Sequence, residues 1–140
     1  MRFWDASAVV PLCVEEEGTA LLQGLLDADP AMVVWWSTPV EAASAFARVR
    51  RMGGLDQSEE QVARELLAAY AGAWTEMQPS VTLRNRALRL LAVHDLRSAD
   101  ALQLAAAVGW AGEGEDMKEF VCLDRRLADA ARREGFRVRP

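Results

Sequence analysis

The stretch RFWDASAVV, residues 2–10, is the most informative part of the sequence about the fold, because an apolar strand-like run is followed directly by an acid and then by a helix-like segment. Arg2 to Trp4 predicts the strand, Asp5 follows it, and an alanine- and valine-rich segment follows in turn. The stretch EFVCLD, residues 119–124, repeats this arrangement, with a predicted strand at Glu119 to Leu123 that is followed by Asp124. The two strands lie near opposite ends of the chain, and each is followed by an acid. We therefore expect both acids to lie at the end of a strand in the same sheet.

Further strands are predicted at Met32 to Trp35 and Phe136 to Arg139, and helices fill the rest. Apolar residues recur at helical spacing in four segments: Leu21, Leu22 and Leu25; Val62, Leu66, Ala69, Tyr70 and Ala73; Leu83, Ala87, Leu90 and Leu91; Ala101, Leu104, Ala105 and Val108. Strands separated by long helical stretches favour parallel crossovers. The sequence predicts one α/β domain over residues 1–140, with a central parallel sheet covered by helices on both faces.

Composition narrows the class of protein. The net charge of −5 and the isoelectric point near 4.9 argue against a protein that holds nucleic acid through bulk positive charge. Cys13 and Cys122 lie in apolar segments that are typical of reduced, packed thiols. Neither a secretory leader nor a membrane-spanning run is evident, so we expect a cytoplasmic protein without membrane contact.

Four acids are expected to meet at one edge of the sheet. Asp5 and Asp124 follow strands, and the carboxyl ends of parallel strands form the edge where open α/β sheets bind ligands. Glu41 and Asp100 lie in the first turns of two predicted helices whose connections reach that edge. The sequence therefore predicts a cluster of Asp5, Glu41, Asp100 and Asp124.

Each acid also has a purely structural interpretation. Thr38 and Glu41, with Pro39 between them, have the form of a capping box. Asp100 suits the positive end of a helix dipole, and Asp5 and Asp124 suit N-cap positions. The joint pattern of the four acids favours a site over four independent caps.

Crowded carboxylates repel one another unless a cation is present. Oxygen-only ligands favour Mg²⁺ or Mn²⁺, and the absence of paired His or Cys residues argues against zinc. Such a centre suits phosphodiester hydrolysis by a water whose pKa the metal lowers. The single histidine, His94, is interpreted as a packing or helix-capping residue.

The sequence resembles PIN-domain ribonucleases of the VapC toxin type along essentially its whole length. The resemblance is carried by four stretches in order: RFWDASAVV, WWSTPVEAASAFAR, LRSADALQLAAA and FVCLDRRLADAARREGF. It implies a three-layer α/β/α sandwich and a Mg²⁺- or Mn²⁺-dependent endoribonuclease, with RNA as substrate and a cognate antitoxin as partner. It also implies a homodimer.

Carried over residue by residue, the resemblance places the family's acids on Asp5, Glu41, Asp100 and Asp124. Asp5, Asp100 and Asp124 are expected to coordinate metal, whereas Glu41 completes the site or positions the attacking water. Ser7 is either a hydroxyl beside the metal or a helix-start residue. Arg97 and Arg125 are candidates for RNA phosphate contacts or for ion pairs with neighbouring acids. The segments Leu21 to Leu26 and Val62 to Trp74 are candidates for an antitoxin groove or for core packing.

Two other classes of protein gather acids in the same way. An Asp-based phosphotransfer enzyme would usually place a second Asp where this chain has Ser7, and a receiver domain would need a strand-end lysine near the site. The sole lysine, Lys118, precedes its strand instead. A catalytically silent binding module with the same fold would use the four acids as helix caps, and metal titration would distinguish it.

Overall fold

The computed structural model describes residues 1–112 and 116–140. In chain order, the described residues form β1 (Arg2–Trp4), α1 (Ala6–Cys13), α2 (Thr19–Ala28), β2 (Met32–Trp35), α3 (Thr38–Arg51), α4 (Gln57–Ala71), β3 (Thr75–Met77), α5 (Val81–Val93), α6 (Ser98–Ala111), β4 (Glu119–Val121), α7 (Arg125–Arg133) and β5 (Arg137–Arg139). No helix among them is long and apolar enough to cross a lipid bilayer.

The five strands form one parallel sheet in the order β3-β2-β1-β4-β5. The strand β1 lies at the centre, where Phe3 pairs with Val33 on one side and with Phe120 on the other. The rings of Phe3 and Phe120 stack with centroids 5.4 Å apart. A central strand that is buried on both faces has no polar face, which explains why residues 3 and 4 are both aromatic.

Alternating strand residues supply two separate cores, since successive side chains of a strand point to opposite faces. Phe3, Val33 and Phe120 pack with α5, α6 and α7 on one face. Trp4 and Val34 pack with helices α1 to α4 on the other. The predicted three-layer α/β/α sandwich of PIN type is therefore confirmed.

Most helices begin where a side chain caps them. Asp56 accepts a hydrogen bond from Glu59 N at 2.8 Å, and Ser80 accepts one from Leu83 N at 3.0 Å. A turn at residues 53–54 separates α3 from α4, and Gly53 has a φ of +82°, a conformation that disfavours other residues.

The structure corrects several sequence-based expectations. The strand β3, with sequence TEM, was not predicted, because it lies at the sheet edge and carries no apolar run. The predicted bounds of β1 and β2 are confirmed, whereas β4 ends at Val121 and β5 begins at Arg137. Residues 113–115 of the segment that links α6 to β4 lie outside the described residues.

The buried face of α4 also differs from the predicted one. Ala63 and Leu67 enter the core, while Val62 and Leu66 of the predicted apolar face are 53% and 40% exposed. The inward face includes buried Glu60, which pairs with Arg50 and Arg64. Because the inward face of α4 contains a charged residue, the pattern of apolar residues alone predicts the wrong face of the helix.

Candidate functional site

A cleft of about 570 Å³ opens at the carboxyl edge of the sheet. All four predicted acids line it, together with residues of α1, of α3 and of the connection that follows α1: Asp5, Glu41, Asp100, Asp124, Ala6, Ser7, Val10, Glu16, Val40, Ser44, Ala45, Arg48 and Val49. Two of the acids come from strand ends and two from helix starts, as expected from the sequence. The parallel strand order causes this meeting, because β1 and β4 are neighbours.

Asp5 is the most buried of these acids, with only 4% of its surface exposed. Its backbone N donates to Val121 O at 3.0 Å, which fixes it between the ends of β1 and β4. The pKa of Asp5 is raised from its ordinary value of 3.8 to about 6, and burial is the largest cause. The hydrogen bonds from Ser7 oppose the rise, whereas the negative charges of Glu41 and Asp100 contribute to it. Asp5 is therefore poised to change its charge just below neutral pH.

Ser7 links Asp5 to the end of β4. Its backbone N donates to Asp5 Oδ2 at 2.9 Å and its hydroxyl donates to the same oxygen. The Ser7 hydroxyl also accepts a hydrogen bond from Leu123 N at 3.0 Å. Both sequence-based interpretations of Ser7 are compatible with its position, since it stands in the first turn of α1 and also lines the cleft.

Asp124 caps α7, as the structural interpretation of the sequence predicted. Its Oδ1 accepts a hydrogen bond from Leu127 N at 2.8 Å. Asp124 Oδ2 and Asp5 Oδ1 accept no hydrogen bond from the described residues. Each of these carboxylates thus caps a helix with one oxygen and keeps the other available to a ligand.

Glu41 lies in the first turn of α3, but Thr38 does not cap that helix. The N-cap residue is Ser37, whose hydroxyl donates to Glu41 Oε1 at 2.7 Å. Thr38 is fully buried and its hydroxyl lies 3.3 Å from Gln103 Nε2. The predicted capping box is therefore wrong in its first residue, and Glu41 is free to face the cleft.

Asp100 lies in the first turn of α6, as predicted. Burial raises its pKa, and the nearby charge of Asp124 raises it further. Arg97 and Arg126 act in the opposite direction. Arg97 is thus an electrostatic neighbour of Asp100, whereas Arg125 lines a different depression beside α7.

The acids share a cleft without yet forming a compact ligand set. Within residues 1–112 and 116–140, no three His, Cys, Asp or Glu side chains lie close enough together to hold a metal ion. Three of the acids are also held by local hydrogen bonds, Asp5 by Ser7, Asp124 by Leu127 and Glu41 by Ser37. The donor chemistry nevertheless suits a hard divalent cation, because the ligands are carboxylates whose mutual repulsion a cation would relieve.

Sequence reasoning missed two polar residues at this site. Gln103 is the only strongly polar residue of the segment ALQLAAAV in α6, and its buried amide contacts the Glu41 carboxylate behind the cleft. Arg48 lines the cleft and forms no ion pair within the described part of the chain. The isolated glutamine was a usable signal, whereas the arginine was hidden in a cluster with Arg50 and Arg51.

The fold and the cleft define the class of this protein: a PIN-type α/β/α sandwich with an acidic cleft at the carboxyl edge of its sheet. Two curated proteins of Mycobacterium tuberculosis are similar to it, Ribonuclease VapC45 of strain CDC 1551 and Ribonuclease VapC49 of strain H37Rv. Each is 31% identical over 138 residues, which cover 99% of this chain and 94% of the relative. No profile of a known protein family matches the sequence. The chain belongs to the VapC ribonuclease family.

Proposed function

We propose that this protein is an endoribonuclease that hydrolyses RNA phosphodiester bonds at the cleft of Asp5, Glu41, Asp100 and Asp124, with Mg²⁺ or Mn²⁺ as cofactor. One observation carries the proposal. Four carboxylates that are far apart in sequence line a single cleft, and the charges of Glu41 and Asp100 raise the pKa of Asp5. Membership of the VapC family supports RNA as the substrate.

The carboxylates would hold the cation with oxygens that are not engaged in capping. Asp5 Oδ1 and Asp124 Oδ2 can be offered to a ligand while their partner oxygens keep α1 and α7 capped. Asp100 would supply the third acid, and Glu41 completes the site or positions the attacking water.

A bound divalent cation would lower the pKa of the attacking water and neutralise charge on the scissile phosphate. The protein itself would keep Asp5 ionised above about pH 6, and it would hold that carboxylate with two hydrogen bonds from Ser7. Near neutral pH Asp5 is therefore largely ionised and able to bind a cation.

Arg48 would supply the positive charge that the acidic surface lacks. It lies on α3 two turns beyond Glu41, it is exposed, and it lines the same cleft. A guanidinium without an ion pair in the described chain can bind an RNA phosphate bidentately. A single local cation of this kind reconciles an overall charge of −5 with a polyanionic substrate.

We also propose that the protein is the toxin of a toxin-antitoxin pair and acts in the cytoplasm. Exposed Leu21, Val62 and Leu66, from the two segments predicted for the antitoxin groove, support a protein partner on the side of α2 and α4. The neighbouring Leu22 and Leu67 are core residues. The exposed apolar face of α5, with Val81 and Leu88, supports the proposed homodimer, which light scattering would test.

The experiment is cleavage of end-labelled total RNA by the purified protein with Mn²⁺ or Mg²⁺, with chelator, and with the variants Asp5→Asn and Asp100→Asn. We expect discrete metal-dependent fragments from the wild type and none from either variant. Asp129→Asn, the same change at an exposed position of α7, is the matched control and should cut normally.

A catalytically silent binding module is the second candidate, and one observation favours it: Asp5 and Asp124 do act as helix caps. Electron paramagnetic resonance of added Mn²⁺ distinguishes the two. A stoichiometric Mn²⁺ site that Asp100→Asn weakens supports the nuclease, whereas the absence of both cleavage and a Mn²⁺ site would identify the silent module.

A further inference from the structure

Gln103 of α6 contacts Glu41 of α3 beneath the surface of the protein. Its Nε2 lies 3.3 Å from Glu41 Oε1, 3.3 Å from Glu41 Oε2 and 3.3 Å from Thr38 Oγ1. The Gln103 side chain is fully buried in α6, so solvent does not compete for these contacts. The amide therefore joins the start of α3 to the start of α6 through the carboxylate of Glu41.

This buried amide is poorly explained by stability. Gln103 Oε1 is buried and has no hydrogen-bond partner within the described residues. A buried acceptor without a partner destabilises the folded state, and an apolar side chain of similar size would avoid that cost. The other buried residues of α6 are alanine and leucine. A buried glutamine among them therefore indicates a functional role at the neighbouring Glu41 carboxylate.

We propose that Gln103 is a positioning residue that fixes the Glu41 carboxylate for cation binding. The inference rests on the proposed function, in which Glu41 contributes to the metal site. A glutamate has three rotatable side-chain bonds, and Ser37 restrains only one of its oxygens. The amide of Gln103 reaches both oxygens and so restricts the remaining rotation, as residues behind a metal ligand commonly do.

The placement of Gln103 on α6 strengthens the inference. Gln103 follows Asp100 by three residues, so both side chains project from the same side of the helix. The helix α6 thus carries one acid of the cleft, Asp100, and contacts a second acid, Glu41, through Gln103. Gln103 and Glu41 are 62 residues apart in sequence.

The first experiment is a double-mutant cycle on Mn²⁺ affinity, measured by electron paramagnetic resonance without RNA. We expect Gln103→Leu to weaken Mn²⁺ binding by about ten-fold, a typical effect of removing such a support. In the Glu41→Ala background, Gln103→Leu should have no further effect. Thr38→Val removes the other contact of the amide and should bind Mn²⁺ normally. Gln103→Met serves as a second apolar variant if the leucine variant does not fold.

Normal Mn²⁺ affinity in the folded Gln103→Leu protein would overturn the inference, and so would an equal loss with and without Glu41. Either result leaves the proposed ribonuclease intact, provided that the wild type binds Mn²⁺. A wild type without a Mn²⁺ site would instead refute the proposed metal-dependent function.

The second experiment tests the contact itself in metal-free protein by nuclear magnetic resonance of the Gln103 side-chain amide. We expect its protons to exchange slowly with water, and we expect Glu41→Ala to shift their signals strongly while Ser44→Ala, elsewhere on α3, does not. Signals that do not respond to Glu41→Ala would show that Gln103 does not hold Glu41, whatever the metal result.

Discussion

Replacing Asp5 by asparagine should stabilise the metal-free protein at pH 7. In the unfolded chain Asp5 ionises near its ordinary pKa of 3.8, whereas burial raises that pKa to about 6 in the folded protein. At pH 7 the folded protein therefore carries a buried negative charge, and this charge destabilises the folded state. Asparagine keeps an oxygen for the hydrogen bonds from Ser7 and carries no charge.

The magnitude follows from the difference between these two pKa values. At about 1.4 kcal/mol per pH unit, a rise from 3.8 to about 6 corresponds to roughly 3 kcal/mol of lost stability at pH 7. This is an upper limit for the gain from Asp5→Asn, since the new amide nitrogen must itself find a partner. We expect a gain of about 1–3 kcal/mol in the free energy of unfolding.

The sign of the pH dependence gives the sharper test. Between the two pKa values the folded state binds more protons than the unfolded state, so the contribution of Asp5 to stability falls as pH rises from about 4 to above 6. The advantage of Asp5→Asn should therefore be large at pH 7.5 and small at pH 4.5.

Urea unfolding in the presence of chelator, at both pH values, measures this difference. Asp129→Asn is the matched control, because its side chain is exposed and the substitution is the same. It should change stability little at either pH. A destabilised Asp5→Asn protein at pH 7.5, or an equal effect at both pH values, would refute the explanation that the buried charge of Asp5 destabilises the folded protein.

Three further outcomes are expected. Mn²⁺ affinity should fall as pH is lowered through about 6, because protons compete for Asp5, and a calorimetric titration showing no change there would contradict this. Arg48→Gln should weaken RNA binding to the inactive Asp100→Asn protein several-fold and lower the salt dependence by about one phosphate contact, measured by fluorescence anisotropy, whereas Arg51→Gln should not. Ser7→Ala breaks the hydroxyl bridge between Asp5 and the end of β4, and it should lower the free energy of unfolding by about 1 kcal/mol in a thermal melt. It should also reduce the rate of RNA cleavage by more than the loss of folded protein explains.

Part of the site was predictable because its signals are local. A short apolar strand followed by an acid places Asp5 and Asp124 at strand ends without knowledge of any other residue. Helix-start preferences likewise located Glu41 and Asp100 in first turns. Their roles as metal ligands stay predictions, and the experiments above test them.

Sequence patterns were sufficient to predict the α/β class, the bounds of β1 and β2, and the placement of the four acids at strand ends and helix starts. These features depend on side-chain periodicity and capping within a few residues. The pairing of β3, the inward face of α4 and the contact between Gln103 and Glu41 became evident only in the folded protein. Each of these depends on residues that are distant in sequence: β3 needs β2 as its partner, Glu60 needs Arg50, and the amide needs a carboxylate on another helix. A sequence pattern indicates the secondary structure that a segment favours, whereas long-range packing determines which other segment it contacts.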